Sequence, residues 1–301
     1  MTRPTRQTPA GRAYLDLQNQ ARRDGRGTQQ LLTLYVVERW LARLARSPYA
    51  DQFVLKGGML LAAFDARRPT ADADALARHM ANDQNTILAR VVEIAQFPDD
   101  DGGVEFLSDT ATARTIRDDA LYAGVRITMD ARIATAAVKF RLDVNFGDPI
   151  TPAPRQLALP SIRPGTAPVR VLGYPIETVL AEKIVTAITL GAANTRVRDY
   201  ADIYTLTGRH DLTHAVMSEA LRATAEFRRA SLETLSTAID NLVELRQATY
   251  LAYRGSLRSD GDSLPDDLRV VVDAVTTFAD PLIRPTAPAT TWQARHRRWT
   301  D

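Results

Sequence analysis

Seven of the sixteen prolines in this chain fall between Pro149 and Pro175. Proline fixes its own φ, has no N–H to donate and drives the preceding residue away from helical geometry. No continuous helix or central strand crosses such a segment, so the chain must change architecture there. The patterns on the two sides differ accordingly. Residues 137–146 alternate, with Val138, Phe140, Leu142, Val144 and Phe146 on one face and Lys139, Arg141, Asp143 and Asn145 on the other. That is the period of a half-buried strand. After Pro175 the apolar spacing predicts helices over Ile176 to Leu190, Arg198 to Thr207, a long stretch from Leu212 to Tyr253, and Pro265 to Phe278.

Upstream, Leu31, Leu32, Leu34, Tyr35, Val36, Trp40, Leu41 and Leu44 recur at helical spacing and predict an amphipathic helix from Thr28 to Ala45. Phe53-Val54-Leu55 reads as a short buried strand that runs into Gly57-Gly58 and a second helix, Met59 to Ala66. A helix around Asp83 to Gln96, a strand around Val125 to Met129 and a short apolar run from Val169 to Leu172 complete the pattern. The fold class that follows is α+β. Its parts are a basic N-terminal arm (1–26), an α/β lobe with a mixed sheet (27–173), a helical lobe (174–285) and a C-terminal tail (286–301).

With 301 residues, 45% apolar and 25% charged, the chain has material for one large or two modest cores. The net charge of +2 is too small to announce a nucleic-acid partner, although arginines concentrate from Arg3 to Arg26 and from Arg295 to Arg298. The N-terminal cluster reads either as an RNA-contacting arm or as a solvated, disordered tail, and the tail is the simpler reading. The absence of cysteine excludes a disulfide frame, a thiol nucleophile and a Cys-based metal site. No signal-like apolar core and no membrane-length stretch occurs, so no membrane association is expected and the expected location is the cytoplasm.

Only three lysines accompany thirty-five arginines: Lys56, Lys139 and Lys183. An ammonium is a compact point charge, whereas a guanidinium is a planar fork, so a lysine kept within a motif suits a phosphate in a tight pocket. Codon drift is the bland alternative. Lys56-Gly57-Gly58 stands at a strand-to-helix junction, where two glycines permit a sharp turn and close approach to a ligand. Thr70-Ala71-Asp72-Ala73-Asp74 follows. On a strand its two aspartates share a face, as needed to hold Mg²⁺ that keeps water and triphosphate oxygens; the competing reading is a solvated edge or a helix start. Asp143, on the polar face of the alternating strand, is a candidate third carboxylate for a two-metal site, or part of an ordinary wet face. Lys183 lies in the middle of an apolar helical arc, so it must snorkel, find a counter-charge or meet an anionic ligand. Asp199 and Asp202 share a face of the next helix and would otherwise pair with Arg196 or Arg198.

Taken in order, Lys56-Gly57-Gly58, Thr70-x-Asp72-x-Asp74, Leu142-Asp143-Val144, Glu182-Lys183 and Arg196-x-Arg198-Asp199 resemble the AbiEii family of nucleotidyltransferase toxins, to which the mycobacterial MenT toxins are similar. The resemblance spans roughly residues 50 to 206, and it is the order of the motifs that makes it specific. It implies a DNA polymerase β-like nucleotidyltransferase lobe followed by an α-helical lobe, with Mg²⁺ as cofactor, NTP as co-substrate and a separately encoded antitoxin protein as partner. It further implies a toxin that transfers nucleotides to the 3′ acceptor end of tRNA and so blocks translation. Carried over by position, Asp72, Asp74, Lys183 and Asp199 are the catalytic residues, and Asp72, Asp74 and Asp143 hold the metals. Lys56, Gly57, Gly58, Lys183, Arg198 and Asp202 bind the nucleotide. Gly58 stands where the wider superfamily often has serine, which leaves only backbone donors for phosphate at that position. Arg67, Arg68 and Arg196, read as exposed, are the candidates to steer an RNA backbone. Two other functions fit the same residues: nucleotide transfer to a protein or small molecule, and a non-catalytic nucleotide- or RNA-binding module whose carboxylates only pair with arginines.

Overall fold

The structure is a computed structural model and describes residues 3–70, 72–116, 124–283 and 290–300. Two compact units emerge. The first comprises the chain up to Ala63, Arg67–Gly147 and Arg155–Gly173, and the second comprises Phe64–Ala66, Asp148–Pro154 and the chain from Tyr174 onward.

In chain order the first unit contains α1 (Pro9–Arg23), α2 (Thr28–Arg46), β1 (Phe53–Lys56), α3 (Gly57–Leu60), β2 (Ala73–Ala77), α4 (Gln84–Ala95), β3 (Glu105–Ile116), β4 (Gly124–Ile133), β5 (Ala136–Phe146), β6 (Arg155–Leu159) and β7 (Val169–Gly173). Its seven strands form one sheet in the order β3-β4-β5-β2-β1-β7-β6. The sheet is mixed: β2 runs parallel to β5 and β7 parallel to β1, while the remaining neighbours are antiparallel. Alternation on β5 sorts as expected, with Val138, Phe140, Leu142 and Val144 buried and Lys139 and Arg141 exposed. Trp40 of α2 lies against this apolar face. Its ring centroid is 5.7 Å from Phe53 and 5.6 Å from Phe140, and its indole N–H donates to the Val91 carbonyl at 3.2 Å. Glu38, fully buried on the same helix, accepts from Ser161 Oγ at 3.0 Å, from the Ile162 N–H and from Arg39 at 2.8 Å, which fixes the β6–β7 connection.

Three expectations for this unit need correction. The described part of the expected arm 1–26 is not disordered, because Pro9–Arg23 is helical with Thr8 as N-cap and buries Ala13, Leu17 and Ala21. That apolar stripe is narrow but sufficient, and the arginines occupy the other faces. The helix expected over Met59 to Ala66 shrinks to the four residues of α3 followed by a 3₁₀ turn, Leu61–Phe64. β3 and β6, absent from the pattern reading, extend the sheet on its two edges.

The second unit contains α5 (Ile176–Leu190), α6 (Val197–Thr207), β8 (Leu212–Thr213), α7 (His214–Arg228), α8 (Leu235–Ala238), α9 (Leu242–Ser256), α10 (Leu268–Ile283), β9 (Thr291–Gln293) and β10 (Arg298–Thr300). The long helix expected from Leu212 to Tyr253 is thus three helices. It breaks at Arg229 and Asn241, which take left-handed backbone with φ of 52° and 63°. Nor are residues 290–300 a loose tail, since β9 pairs with both β8 and β10 in a small antiparallel sheet. Trp292 explains that order: it is fully buried, donates to the Thr207 carbonyl at 2.7 Å, and meets Phe278 edge-on at 4.9 Å. Trp292→Ala is expected to cost about 4 kcal/mol of stability, because truncating a large buried aromatic leaves a cavity that neighbours only partly refill. A shift of the denaturant midpoint checks it, and an unchanged midpoint contradicts this packing.

Candidate active site

The strand register gathers the charged residues of the first unit into a row. Arg126 on β4 is the register partner of Asp143 on β5, Asp143 of Asp74 on β2, and Asp74 of Lys56 on β1. Partners in a ladder present side chains on one face with Cβ atoms about 5 Å apart, so four adjacent strands carry the sequence plus, minus, minus, plus. The row lies on the face opposite Trp40. Asp72 lies in a bend just before β2, near enough for its charge to act on Arg126, and its Oδ1 accepts from the Thr70 hydroxyl at 3.1 Å. Of the two aspartates, Asp74 lies on the strand.

Asp143 breaks the exposed pattern of its own face: Lys139 and Arg141 are exposed, yet Asp143 is buried. Arg126 accounts for it. Its Nε donates to Asp143 Oδ1 at 2.6 Å and its Nη2 to Oδ2 at 2.5 Å, a bidentate fork that matches guanidinium to carboxylate. The hydrogen bonds to Asp143 hold Arg126 more firmly protonated than usual, and the negative charges of Asp72 and Asp74 add to the effect. Arg126 was not singled out from the sequence.

Gly57 is required twice over. Its φ is +67°, and a Cβ placed on it would stand 1.9 Å from Asp74 Oδ2. The backbone thus runs directly against the Asp74 carboxylate, where only glycine leaves room. At Gly58 a Cβ would stand 3.1 Å from Thr70 Oγ1 and 3.2 Å from Arg68 Nη1. A hydroxyl, that of Thr70, therefore lies beside the position that lacks a serine. Because α3 is a single turn, any anion here would meet individual N–H groups rather than a long helix dipole.

The second unit holds the other cluster. Lys183 on α5 donates from Nζ to Asp199 Oδ1 at 2.6 Å and to Asp202 Oδ2 at 2.8 Å, both on α6. The lysine on an apolar arc has therefore found counter-charge in the two aspartates. All three side chains are at least 85% buried, at 15%, 11% and 5% exposure. Asp199 and Asp202 share the lysine, so neither displaces the other from the cluster.

The remaining candidates sort differently. Lys139 forms an exposed cross-strand ion pair with Asp130, four residues from Asp143 along β5. Arg67 is a correction: it is not exposed, because its guanidinium turns inward to the Pro160 carbonyl and burial lowers its pKa. Arg68 and Arg196 are half-buried, and Arg198 is exposed. His210 and His214 make no metal pair: each bonds a backbone carbonyl, of Phe64 and Pro281.

Asp72, Asp74 and Asp143 offer only carboxylate oxygens, the donors that Mg²⁺ takes. Among the described residues no three His, Cys, Asp or Glu side chains are arranged to hold a metal ion, and the Arg126 fork occupies both oxygens of Asp143. A guanidinium standing on the carboxylate row marks it as a cation-binding surface, and in that respect the residues fit a divalent ion.

A solved structure shares this fold. The nucleotidyltransferase toxin MenT4 of Mycobacterium tuberculosis superposes with a TM-score of 0.51 at 15% identity, covering 87% of this chain and 91% of that one. JHP933 of Helicobacter pylori aligns with a TM-score of 0.44 at 15% identity over 82% of this chain and 92% of that one. No curated protein matches the sequence. The chain belongs to the AbiEii family, the nucleotidyl transferase toxins of type IV toxin–antitoxin systems, whose pattern matches residues 39–280.

Gly57→Ala should push Asp74 from its place and destabilise the protein by about 1–3 kcal/mol through strain at a positive φ and the clash with the carboxylate. Comparing Gly57→Ala in the wild-type and Asp74→Ala backgrounds by thermal unfolding checks it. The cost should shrink when the carboxylate is gone; an equal cost in both backgrounds contradicts the close approach.

Proposed function

We propose that the protein transfers nucleotides from an NTP to the 3′ acceptor end of tRNA, in a Mg²⁺-dependent reaction that blocks translation until its separately encoded antitoxin intervenes. The observation that carries this reading is the carboxylate row, pressed against a glycine turn, in a member of a nucleotidyltransferase toxin family. Asp72 and Asp74 would hold the metal, with Asp143 as the third carboxylate. Bound divalent ions would neutralise the triphosphate and spread the charge that develops on the leaving pyrophosphate.

The chain's own groups do the rest. The Gly57 and Gly58 backbone and Lys56 bind phosphate, with the Thr70 hydroxyl beside them. By the resemblance Lys183 and Arg198 would be further phosphate-binding cations, and in the structure Asp199 and Asp202 hold the Lys183 ammonium in one orientation. Arg68 and Arg196 are the remaining candidates for the RNA backbone. The terminal hydroxyl oxygen attacks the α-phosphorus, the bond to the bridging oxygen breaks, pyrophosphate leaves and the hydroxyl proton passes to water. Positioning and charge stabilisation dominate such a transfer, so a dedicated general base is unnecessary.

The test incubates the purified protein with total tRNA, Mg²⁺ and each α-³²P NTP in turn, beside Asp74→Ala. Label on tRNA is expected with wild type, with at least a hundredfold loss, on the order of one essential electrostatic contact, in the variant at unchanged thermal stability. Label on protein in RNase-treated lysate, with none on tRNA, would reassign the acceptor. Equal labelling by Asp74→Ala would remove the carboxylate row from the chemistry.

A further inference from the structure

Asp143 presents a conflict that its role as a third carboxylate has to resolve. Both of its oxygens accept from Arg126, at 2.6 and 2.5 Å, and this bidentate fork fills the edge of the carboxylate that a chelating ion would take, with a positive charge where the ion would bring two. The row also explains why the arginine is there. Asp74 and Asp143 are direct neighbours across parallel strands, and like charges in that position repel. Lys56 flanks one end and Arg126 the other. The Arg126 side chain remains 28% exposed while Asp143 is 11% exposed, so the arginine sits at the solvent side of the pair.

We propose that Arg126 is the resident counter-ion of the carboxylate row, and that a divalent cation loads by exchanging with it at Asp143. Without the cation the guanidinium holds Asp143 and keeps the row folded. As the cation arrives, the two hydrogen bonds break and Asp143 turns its oxygens to the ion. The positive charge on the row is thus replaced rather than simply added. This inference rests on the metal-dependent reading above.

Two consequences follow from the exchange. Arg126→Gln removes the competitor, so divalent affinity should rise, while the cation-free protein should become less stable because the carboxylates are left to repel. Arg126→Lys keeps a charge but loses the fork, and should lie between the two. A nearby positive charge would weaken cation binding even without touching Asp143, so the decisive comparison is a double-mutant cycle with Asp143→Asn.

The experiment titrates Mn²⁺, without nucleotide or RNA, into wild type, Arg126→Gln, Asp143→Asn and the double variant, following free Mn²⁺ by electron paramagnetic resonance. Circular dichroism establishes that each variant is folded, and Arg126→Lys repeats the comparison if Arg126→Gln is not. Arg126→Gln should bind about tenfold more tightly than wild type, the scale of one charge-assisted hydrogen bond released. That gain should largely vanish in the Asp143→Asn background. An equal gain in both backgrounds, or no gain at all, overturns the exchange while leaving the metal-dependent reading intact. Wild-type Mn²⁺ binding that is absent, or indifferent to Asp72→Asn, overturns that reading and the exchange with it.

Discussion

Carboxylates placed side by side on neighbouring strands repel, and the α/β unit is arranged around containing that repulsion. Asp74 and Asp143 face each other across β2 and β5, in the middle of a seven-stranded sheet. The sheet tolerates them because Arg126 and Lys56 extend the row on either side, so the charges cancel along it. Under the proposed function the same placement would give the row its use: carboxylates on one rigid face, with Gly57 clearing space beside Asp74, would receive a cation and the polyphosphate it carries.

The helical unit solves a related problem with the signs reversed in number. One ammonium, Lys183, is shared by two carboxylates, Asp199 and Asp202, on a neighbouring helix. A mostly buried lysine without partners would be costly. With two acceptors it is fixed in one orientation. In both units the rare lysines that are buried, Lys56 and Lys183, sit beside aspartates, whereas the exposed Lys139 only bridges two strands at the surface.

Much of this arrangement was legible in the sequence, and the rest failed for identifiable reasons. The alternation of β5 announced a strand with one buried face because Val138 to Val144 follow the pleat strictly. α1 went unread because Ala13, Leu17 and Ala21 are a thin stripe among arginines. β3 went unread because its residues, half-buried or exposed apart from Phe106, do not alternate and its pairing shifts between Leu107 and Thr112. The helix breaks at Arg229 and Asn241 carry neither glycine nor proline, so composition gave no sign of them. Arg126 is different, since its partnership with Asp143 belongs to strand register rather than to any local motif. A signal did exist: with β4 and β5 joined by the tight turn at Ala134-Thr135, counting outward from Ile133 and Ala136 brings Arg126 opposite Asp143.

The central claim is that the row on β2 and β5 is where a metal–nucleotide complex binds. The direct measurement is a crystal structure of the protein soaked with Mn²⁺ and a non-hydrolysable NTP, with Mn²⁺ located by its anomalous scattering. The account predicts an Mn²⁺ peak within coordination distance of Asp72 and Asp74, with phosphate oxygens beside Gly57 and Gly58. Anomalous density elsewhere on the protein, or a triphosphate bound away from these glycines, would contradict it.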